Sequence, residues 1–243
     1  GGAMPVAAPP RCIVSARHAD LQLLPPDVVN CADNRKKCCS TDAANGSLGY
    51  SVGQHGAWKL NAGKCYLLDL GVVRAVGALV SGGTLAEFGA GTGCYARAFN
   101  HSKAVHVTAA FDGAEGVEEL SDGLVTRADL AAPVRARADW VFSIETGEHI
   151  PRQFENVYLS NVADNARHGV VISWAVPGQA GVGHVNGRSS SWVAGQMTQR
   201  GFQLDVSHTA ALKRATNLWF LNRNLQVFRR VVRNGARSAS KDR

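Results

Sequence analysis

The sequence lacks several features that would place the chain in a simple class. Among its 243 residues, no stretch approaches the ~18 uninterrupted apolar residues of a transmembrane helix. None of its six cysteines shows the C-x-x-C spacing of a common zinc site, and no internal repeat is present. Charged residues make up only 19% and aromatic residues 7%, against 45% hydrophobic residues. This composition excludes a disordered chain, collagen, a coiled coil and a disulfide mini-protein, and it indicates an ordinary globular protein.

Charge of one sign predominates, but unevenly. The net charge is +7 and the isoelectric point about 9.3, which favours anionic partners such as nucleic acid, phosphorylated substrates or acidic membrane surfaces. The residues from 229 to 243 hold six basic side chains against one acid, Asp242. No aromatic residues interleave with these charges as a base-stacking surface would require, so this end is interpreted as a solvated basic tail.

The cysteines leave the compartment open. Five of the six precede residue 66. They are either the reduced thiols of a cytoplasmic enzyme, or the disulfides of a protein of the secretory pathway or Golgi lumen whose anchor has been removed. The residues alone do not decide between these two interpretations.

The chain divides into three parts by composition. Residues 1–63 form an irregular arm rich in Cys, Pro and Gly, which includes a candidate lid around His55 and Trp58; residues 64–230 form the main domain; residues 231–243 form the basic tail. In the main domain, short apolar runs alternate with amphipathic stretches, which is typical of a parallel α/β sheet. Strands are predicted at 84–88, 104–111, 124–127, 140–144, 170–175, 203–207 and 218–228, the last two as a hairpin. Helices are predicted at 67–80, 94–100, 114–120, 152–167 and 190–200.

A glycine-rich turn joins the first of these strands to its helix. Glu87 is followed by Gly89, Gly91 and Gly93, and Asp112 ends the next strand nineteen residues after Gly93. Glycines let the backbone approach a ligand closely, and a carboxylate at the position of Asp112 can accept both hydroxyls of a ribose. A dinucleotide oxidoreductase would need a glycine where this chain has Cys94, which disfavours that class.

The order acid-x-G-x-G-x-G resembles motif I of the class I S-adenosylmethionine-dependent methyltransferases. The resemblance extends over residues 84–228 and includes Ala128-Asp129-Leu130 after the third strand. It implies a seven-stranded, Rossmann-like α/β sheet that is mostly parallel and ends in an antiparallel hairpin. It also implies that S-adenosylmethionine is the cofactor, with its methionine part near Gly89 and Gly91, its ribose on Asp112 and its adenine amine on Asp129. Glu87 and Gly93 complete the implied cofactor-binding set.

Acidic and imidazole side chains cluster after the next two strands. Glu145, Glu148 and His149 follow the fourth strand, and His184 ends a glycine-rich loop after the fifth. Ligands bind at this edge of open parallel sheets. Carboxylates with imidazoles suit either a divalent cation or general-base catalysis, and a purely structural cluster is a third interpretation.

The arrangement Glu-x-x-Glu-His with a later His is similar to that of the metal-assisted O-methyltransferases. The resemblance implies that Glu145, Glu148, His149 and His184 hold Mg²⁺ or Mn²⁺, with Glu148, His149 and His184 acting in catalysis. The implied acceptor is a hydroxyl of a sugar, catechol or ribose diol, on a glycan or another anionic molecule. Nucleic acid is a less favoured acceptor. Two alternatives remain open: a metal-free N- or O-methyltransferase with Glu148 or His149 as base, and a non-catalytic cofactor-binding protein that associates with nucleic acid through its tail.

Overall fold

The computed structural model describes residues 11–30, 53–58 and 66–231. These residues form two sheets. The smaller sheet consists of three parallel strands: β1 (Arg11–Ser15), β2 (Val29–Asn30) and β3 (Tyr66–Asp69). The larger sheet contains β4 (Thr84–Phe88), β5 (His106–Asp112), β6 (Thr126–Arg127), β7 (Ala138–Ser143), β8 (Ala166–Ile172), β9 (Phe202–Leu204) and β10 (Gln226–Arg230).

The larger sheet has the topology that the sequence predicts. Its strand order is β6-β5-β4-β7-β8-β10-β9, and the first five of these strands are parallel. Strand β10 runs antiparallel to both of its neighbours, β8 and β9. The predicted fold class, a mostly parallel seven-stranded sheet with an antiparallel end, is confirmed.

Helices cover both faces of this sheet. Neighbouring residues of a strand point to opposite faces, and because both are apolar here, each face is buried against helices. Leu85 of β4 joins a core with the first and second helices, whereas Ala86 and Phe88 pack with the helix that precedes β8. The helices are α1 (Leu70–Val80), α2 (Cys94–Ser102), α3 (Val117–Leu120), α4 (Glu155–Asn165), α5 (Ser190–Gln199), α6 (Val206–Ala215) and α7 (Trp219–Asn224). None of the helices in the described ranges has the length and hydropathy needed to cross a membrane.

Three predicted helices have different boundaries in the structure, and the one predicted at 114–120 begins only at Val117. The helix predicted from residue 67 begins at Leu70, because the preceding residues pair with β1 as strand β3. Asp69 caps α1, and its carboxylate accepts a hydrogen bond from the Val72 amide at 3.2 Å. The helix predicted at 152–167 starts with a 3-10 turn, Arg152–Phe154, and ends at Asn165, where β8 begins.

The closing hairpin prediction is wrong in its connection. Strands β9 and β10 do pair antiparallel, but helices α6 and α7 lie between them, and β10 begins only at Gln226. The residues from Leu218 to Leu225 therefore do not form a strand. Instead, α7 lies beside the carboxyl edge of the sheet, where it contributes to the cavity described below.

The amino-terminal arm is more regular than a loop. The prediction of an irregular arm is wrong for β1, for β2 and for the 3-10 helix His18–Leu23. A disulfide joins Cys12 of β1 to Cys94 at the start of α2, and both residues are buried. The other four cysteines, at positions 31, 38, 39 and 65, lie outside the described residues. The three-part division of the chain stays a prediction, since most of the arm and of the tail also lies outside them.

Candidate active site

A cavity of about 540 Å³ opens at the carboxyl edge of the parallel strands. The segments that line it follow β4, β5, β7 and β8, which is the edge where ligands bind in open parallel sheets. Of the ten residues predicted as site residues, nine line this cavity: Glu87, Gly89, Gly91, Asp112, Asp129, Glu145, Glu148, His149 and His184. The tenth, Gly93, is the N-cap residue of α2.

The glycine turn is shaped by steric requirements. Gly89 and Gly91 have φ values of 84° and 54°, which side-chain-bearing residues rarely adopt. A Cβ atom on Gly89 would lie 2.2 Å from the hydroxyl oxygen of Thr146, and one on Gly91 would lie 2.6 Å from the ring of Tyr66. The turn therefore accepts only glycine at both positions, and its amides are held close to Asp112 and Phe111.

Two carboxyls, of the buried Glu87 and the half-buried Asp112, lie beside this turn. Asp112 accepts hydrogen bonds from the backbone amides of Gly91 at 2.8 Å and Ala114 at 2.9 Å, so its orientation is fixed. Burial raises the pKa of Asp112, and these two amides oppose the increase. Burial, together with the nearby Asp112, raises the pKa of Glu87 to about 8. A cationic group bound in this part of the cavity would lower the pKa of both carboxyls, because it stabilises their charged forms.

The segment from Gly53 to Trp58 lies across the cavity. The Nδ1 atom of His55 lies 2.6 Å from a carboxylate oxygen of Asp129, and the ring of Trp58 contacts that of His149 edge-on. Gly56 packs so closely that a Cβ atom there would lie 2.2 Å from the His149 carbonyl oxygen. The segment therefore lines the cavity beside Asp129 and His149, and its role as a lid stays a prediction.

The acidic and imidazole side chains converge as the sequence predicts for three of four residues. Glu148, His149 and His184 each offer one ligand atom, and these atoms all lie within 4.8 Å of one another. The nearest Glu148 oxygen lies 3.9 Å from Nε2 of His184. Glu145 is not part of this group. Its carboxylate accepts a hydrogen bond from Ser173 at 2.8 Å and contacts the Gln179 amide at 3.4 Å.

Backbone hydrogen bonds bring His184 across 35 residues of chain to His149. The carbonyl oxygen of Glu148 accepts from the amides of Val185 at 2.9 Å and Asn186 at 3.0 Å, which fixes the end of the loop after β8. Gly181 leaves space for the imidazole, since a Cβ atom there would lie 2.1 Å from Nε2 of His184. A side chain at position 181 would therefore displace the His184 imidazole from this position.

Both histidines have the tautomer that a metal ligand needs. Nδ1 of His149 lies 3.1 Å from the Gly183 carbonyl oxygen, and Nδ1 of His184 lies 3.1 Å from that of Gln179. A carbonyl oxygen only accepts, so each Nδ1 carries the hydrogen and each Nε2 keeps its lone pair. Burial lowers the pKa of His149 to about 4, and the neighbouring His184 contributes, so His149 is neutral at physiological pH.

The Glu148 side chain is a buried carboxyl whose charge is not compensated by any hydrogen bond within the described residues. Its residue is fully buried, and neither carboxyl oxygen has a hydrogen-bond partner among the described residues. Burial and the adjacent Glu145 raise its pKa well above the usual range. A buried carboxyl without partners is costly unless a proton or a cation compensates it. One carboxylate and two imidazoles with free Nε2 atoms form a donor set that fits a divalent transition metal.

Sequence patterns did not identify several residues that complete the site. Ser173 and Gln179 orient Glu145, while Trp219 and Phe220 of α7 line the cavity. Ser173 directly follows β8 at the same edge of the sheet as Glu145, so its position just after the strand was an available signal. Gln179 and α7 had no such signal, because their contacts depend on how two loops fold.

Comparison by structure found proteins of similar fold, whereas two comparisons by sequence found no match. No protein-family model matches it. A search of curated proteins finds no match either. Among solved structures, the CcbJ methyltransferase from Streptomyces caelestis superposes with a TM-score of 0.50 at 12% identity, over 66% of this chain and 89% of that one.

Two further structures are similar. Magnesium protoporphyrin IX methyltransferase from Synechocystis PCC 6803, with bound S-adenosylhomocysteine, gives a TM-score of 0.49 at 15% identity over 65% of this chain and 82% of its own. The second is an O-methyltransferase from neocarzinostatin biosynthesis, in complex with S-adenosylhomocysteine and 1,4-dihydroxy-2-naphthoic acid. It gives a TM-score of 0.47 at 16% identity, over 64% of this chain and 50% of its own. Identities this low are informative about the fold alone. The chain therefore has the seven-stranded, Rossmann-like fold of the methyltransferases.

Proposed function

We propose that the protein is an S-adenosylmethionine-dependent methyltransferase that methylates a hydroxyl oxygen with the help of a divalent metal ion. The observation that carries this proposal is the shared cavity: the glycine turn with its two carboxyls and the Glu-His-His group line the same space. A methyl donor at the turn would thus face an acceptor at the group.

The glycine-turn end of the cavity suits the cofactor. S-adenosylmethionine is cationic at its sulfonium and its amino group, and these charges would favour the ionised forms of the Glu87 and Asp112 carboxyls, whose pKa values burial raises. Asp112 is fixed by two amides yet each of its oxygens keeps a lone pair for a ribose hydroxyl. Asp129, at the lid, is proposed to lie near the adenine.

The other end suits the acceptor. Glu148, His149 and His184 would hold the ion, and two imidazoles favour Mn²⁺, Fe²⁺ or Zn²⁺ over Mg²⁺. A bound divalent ion would acidify an acceptor hydroxyl and fix its position. In the transfer, the acceptor oxygen forms a bond to the methyl carbon while the carbon–sulfur bond breaks. The electron pair stays on sulfur, and the hydroxyl proton leaves to a base or to water. Tight packing of the lid against His149 would exclude water from this step.

Calorimetry tests the two halves of the proposal separately. S-adenosylhomocysteine should bind, and one equivalent of Mn²⁺ should bind. Glu148→Gln should weaken Mn²⁺ binding by at least about 100-fold, because it removes the charged ligand, while the cofactor affinity stays within about threefold. His184→Ala should behave likewise and should abolish methyl transfer. Glu115→Gln, at an exposed carboxylate, is the matched control.

Two results would contradict the proposal in different ways. If S-adenosylhomocysteine does not bind but a nicotinamide dinucleotide does, the protein is an oxidoreductase. If the cofactor binds but Mn²⁺ does not, and chelators leave turnover intact, a metal-free transfer with Glu148 or His149 as base replaces the metal-assisted one.

A further inference from the structure

The short helix α7 carries an exposed aromatic side chain at the mouth of the cavity. Trp219 lines the cavity and is 66% exposed, whereas every other described tryptophan, tyrosine and phenylalanine is buried or half-buried. Arg223 follows four residues later and is also exposed, so the two side chains lie on one face of the helix. An indole that stays in water costs free energy that a partner surface would recover.

Aliphatic side chains extend this apolar surface along the mouth. Leu67 of β3 and Val182 of the loop after β8 line the same cavity, and they are 38% and 42% exposed. A single exposed apolar side chain is ordinary, but Leu67, Val182 and Trp219 come from three separate elements and border one opening. An apolar border of this kind indicates a surface that a partner covers.

Cationic side chains lie next to Trp219, at the corner formed by α6 and α7. Arg17 donates to the carbonyl oxygen of Arg214 at 2.9 Å, and Lys213 donates to that of Arg223 at 2.9 Å. These acceptors are neutral, and none of the four residues forms an ion pair with a carboxylate of the described ranges. The sequence has no Asp or Glu from position 206 to position 241.

Carboxylates close to this corner are already engaged. Asp69 is fully buried and accepts hydrogen bonds from the Thr216 hydroxyl at 2.7 Å and the Asn217 amide at 3.0 Å. Asp20, in the 3-10 helix that follows β1, is buried and pairs with Arg74 at 2.7 Å. Neither carboxylate faces an incoming partner, so the exposed charge of the corner is positive.

Hydrogen bonds attach this corner to the Glu-His-His end of the cavity. Asn222 of α7 donates to the carbonyl oxygen of Lys213 at 2.6 Å, and Asn224 donates to the Gln179 side chain at 2.9 Å. The backbone carbonyl oxygen of Gln179 accepts from His184. A partner that binds α7 would therefore lie at the cavity mouth, in contact with the elements that carry the site.

We propose that this surface docks the protein on an acidic lipid membrane, with the cavity mouth facing the bilayer. The α7 surface consists of three exposed apolar residues and three exposed cationic residues: Leu67, Val182, Trp219, Arg17, Arg214 and Arg223. Tryptophan and aliphatic side chains enter the boundary between headgroups and acyl chains, while arginines bind acidic headgroups. The proposal concerns where the protein works, and it does not depend on the reaction proposed above.

Nucleic acid is the competing partner, and the apolar residues of the α7 surface disfavour it. Proteins bind a single strand by stacking successive bases on several aromatic side chains, but this surface offers one exposed aromatic residue, Trp219. On a phosphate backbone, Leu67 and Val182 would stay in water, whereas a bilayer would bury them. The cations suit both partners, so the aliphatic residues decide between them.

Sedimentation with lipid vesicles tests the membrane contact on the full chain. Vesicles of phosphatidylcholine with about one-third phosphatidylserine should bind at least about tenfold more tightly than phosphatidylcholine alone, and high salt should weaken the binding. Arg214→Gln combined with Arg223→Gln should weaken it about 25-fold, at about fivefold for each cation. The matched control is Arg135→Gln with Arg137→Gln, at exposed residues that precede β7 and lie at the opposite edge of the sheet. It should change binding less than about twofold.

Tryptophan emission identifies the part of the protein that enters the bilayer. Brominated acyl chains in the acidic vesicles should quench Trp219, one of five tryptophans in the chain. This quenching should be lost in Trp219→Phe, which keeps an apolar ring, and Trp219→Ala should weaken vesicle binding on the order of tenfold. Val206→Ala, at an exposed valine outside the cavity lining, should change neither signal. Unchanged melting temperatures would establish that the variants are folded.

Three results would overturn the proposal. Equal binding to neutral and acidic vesicles would exclude a role for the cations. An equal loss in both arginine pairs would assign the binding to net charge, which includes the basic residues after position 230 that every variant retains. Tighter and Trp219-dependent binding of a single-stranded RNA than of acidic vesicles would make the α7 surface a nucleic-acid site. None of these results bears on S-adenosylhomocysteine or Mn²⁺ binding, so the proposed function is tested separately.

Discussion

Glu87 is buried because it lies in the hydrophobic strand β4. Its residue is 3% exposed, and one of its carboxyl oxygens has no hydrogen-bond partner among the described residues. Burial raises its pKa from 4.5 to about 8, so the folded protein without ligand keeps a proton on Glu87 that the unfolded chain has lost. Stability is then highest below the unfolded pKa and decreases as the pH rises through the folded pKa.

This linkage gives a measurable pH dependence. Each pKa unit is worth about 1.4 kcal/mol, so the Glu87 contribution falls by up to about 5 kcal/mol between about pH 4.5 and about pH 8. Glu87→Gln removes this titration, and the free energy of unfolding in urea should fall less steeply with pH over the same range. Glu115→Gln at an exposed carboxylate should leave the slope unchanged. Identical slopes for both variants would show that Glu87 ionises normally.

At the level of single residues, positions could be predicted where the backbone restricts which residue type can stand there. Glycines in a strand-to-helix turn and a carboxyl ending the next strand are restricted by backbone geometry, so their convergence could be predicted. The orientation of Glu145 could not be, because it depends on a positive φ of 47° and on hydrogen bonds with Ser173. No local pattern signals a non-glycine residue in that conformation.

Among the elements, the lid segment shows how a nearly featureless stretch is fixed by contacts. Residues 53–58 have no regular structure beyond a single bridge, and the segment is held by packing of Gly56 on His149 and by the pairing of His55 with Asp129. Only a residue without a side chain fits at position 56. The segment and the Glu-His-His group should therefore respond together when this packing is disturbed.

Gly56→Ala should open the lid. The added Cβ atom cannot be accommodated 2.2 Å from a carbonyl oxygen, and φ at this position is +89°. We expect the affinity for S-adenosylhomocysteine to fall on the order of tenfold and the segment to become accessible to protease. Gly116→Ala is the control. Its φ of +74° carries a similar backbone strain, but the added Cβ atom meets no atom within 4 Å. It therefore shows the effect of backbone strain alone, without displacement of the segment. Equal effects of the two variants would contradict a lid held by packing.

The elements between β9 and β10 show the limit of periodicity. The run from Leu218 to Phe228 is apolar enough for one long strand, and a helix of six residues, α7, is too short to produce a distinct pattern. The choice is made by tertiary contacts: Leu221 packs in the core, and Asn224 binds Gln179. Aromatic residues that seemed part of a strand thus line the cavity instead.

For the molecule as a whole, the disulfide between Cys12 and Cys94 joins the small sheet to the methyltransferase-type fold. It links residues 82 positions apart, and Cys94 directly follows the glycine turn. Closing a loop of this length in the unfolded chain corresponds to about 4–5 kcal/mol in the chain-entropy model. The arm is therefore an integral part of the fold's stability, although it lies outside the main sheet.

Cys12→Ala should accordingly lower the melting temperature on the order of 10 °C. Calorimetric melting in the absence of reductant measures this, with S-adenosylhomocysteine binding followed on the same samples. The affinity should also fall, because the start of α2 loses its covalent attachment to β1. A variant as stable as the unmodified protein would mean that β1 is held by its strand pairing alone.

The position of this disulfide has a practical consequence for anyone who prepares the protein. Such bonds form and persist in oxidising surroundings, and the cytosol of an ordinary bacterial expression host keeps thiols reduced. Material from that host would carry a free thiol one residue beyond the turn, whereas material exported to the periplasm would carry the cross-link. Two preparations of an identical sequence could then differ in cofactor affinity. Mass spectrometry of the unreduced chain should therefore precede any comparison of their activities.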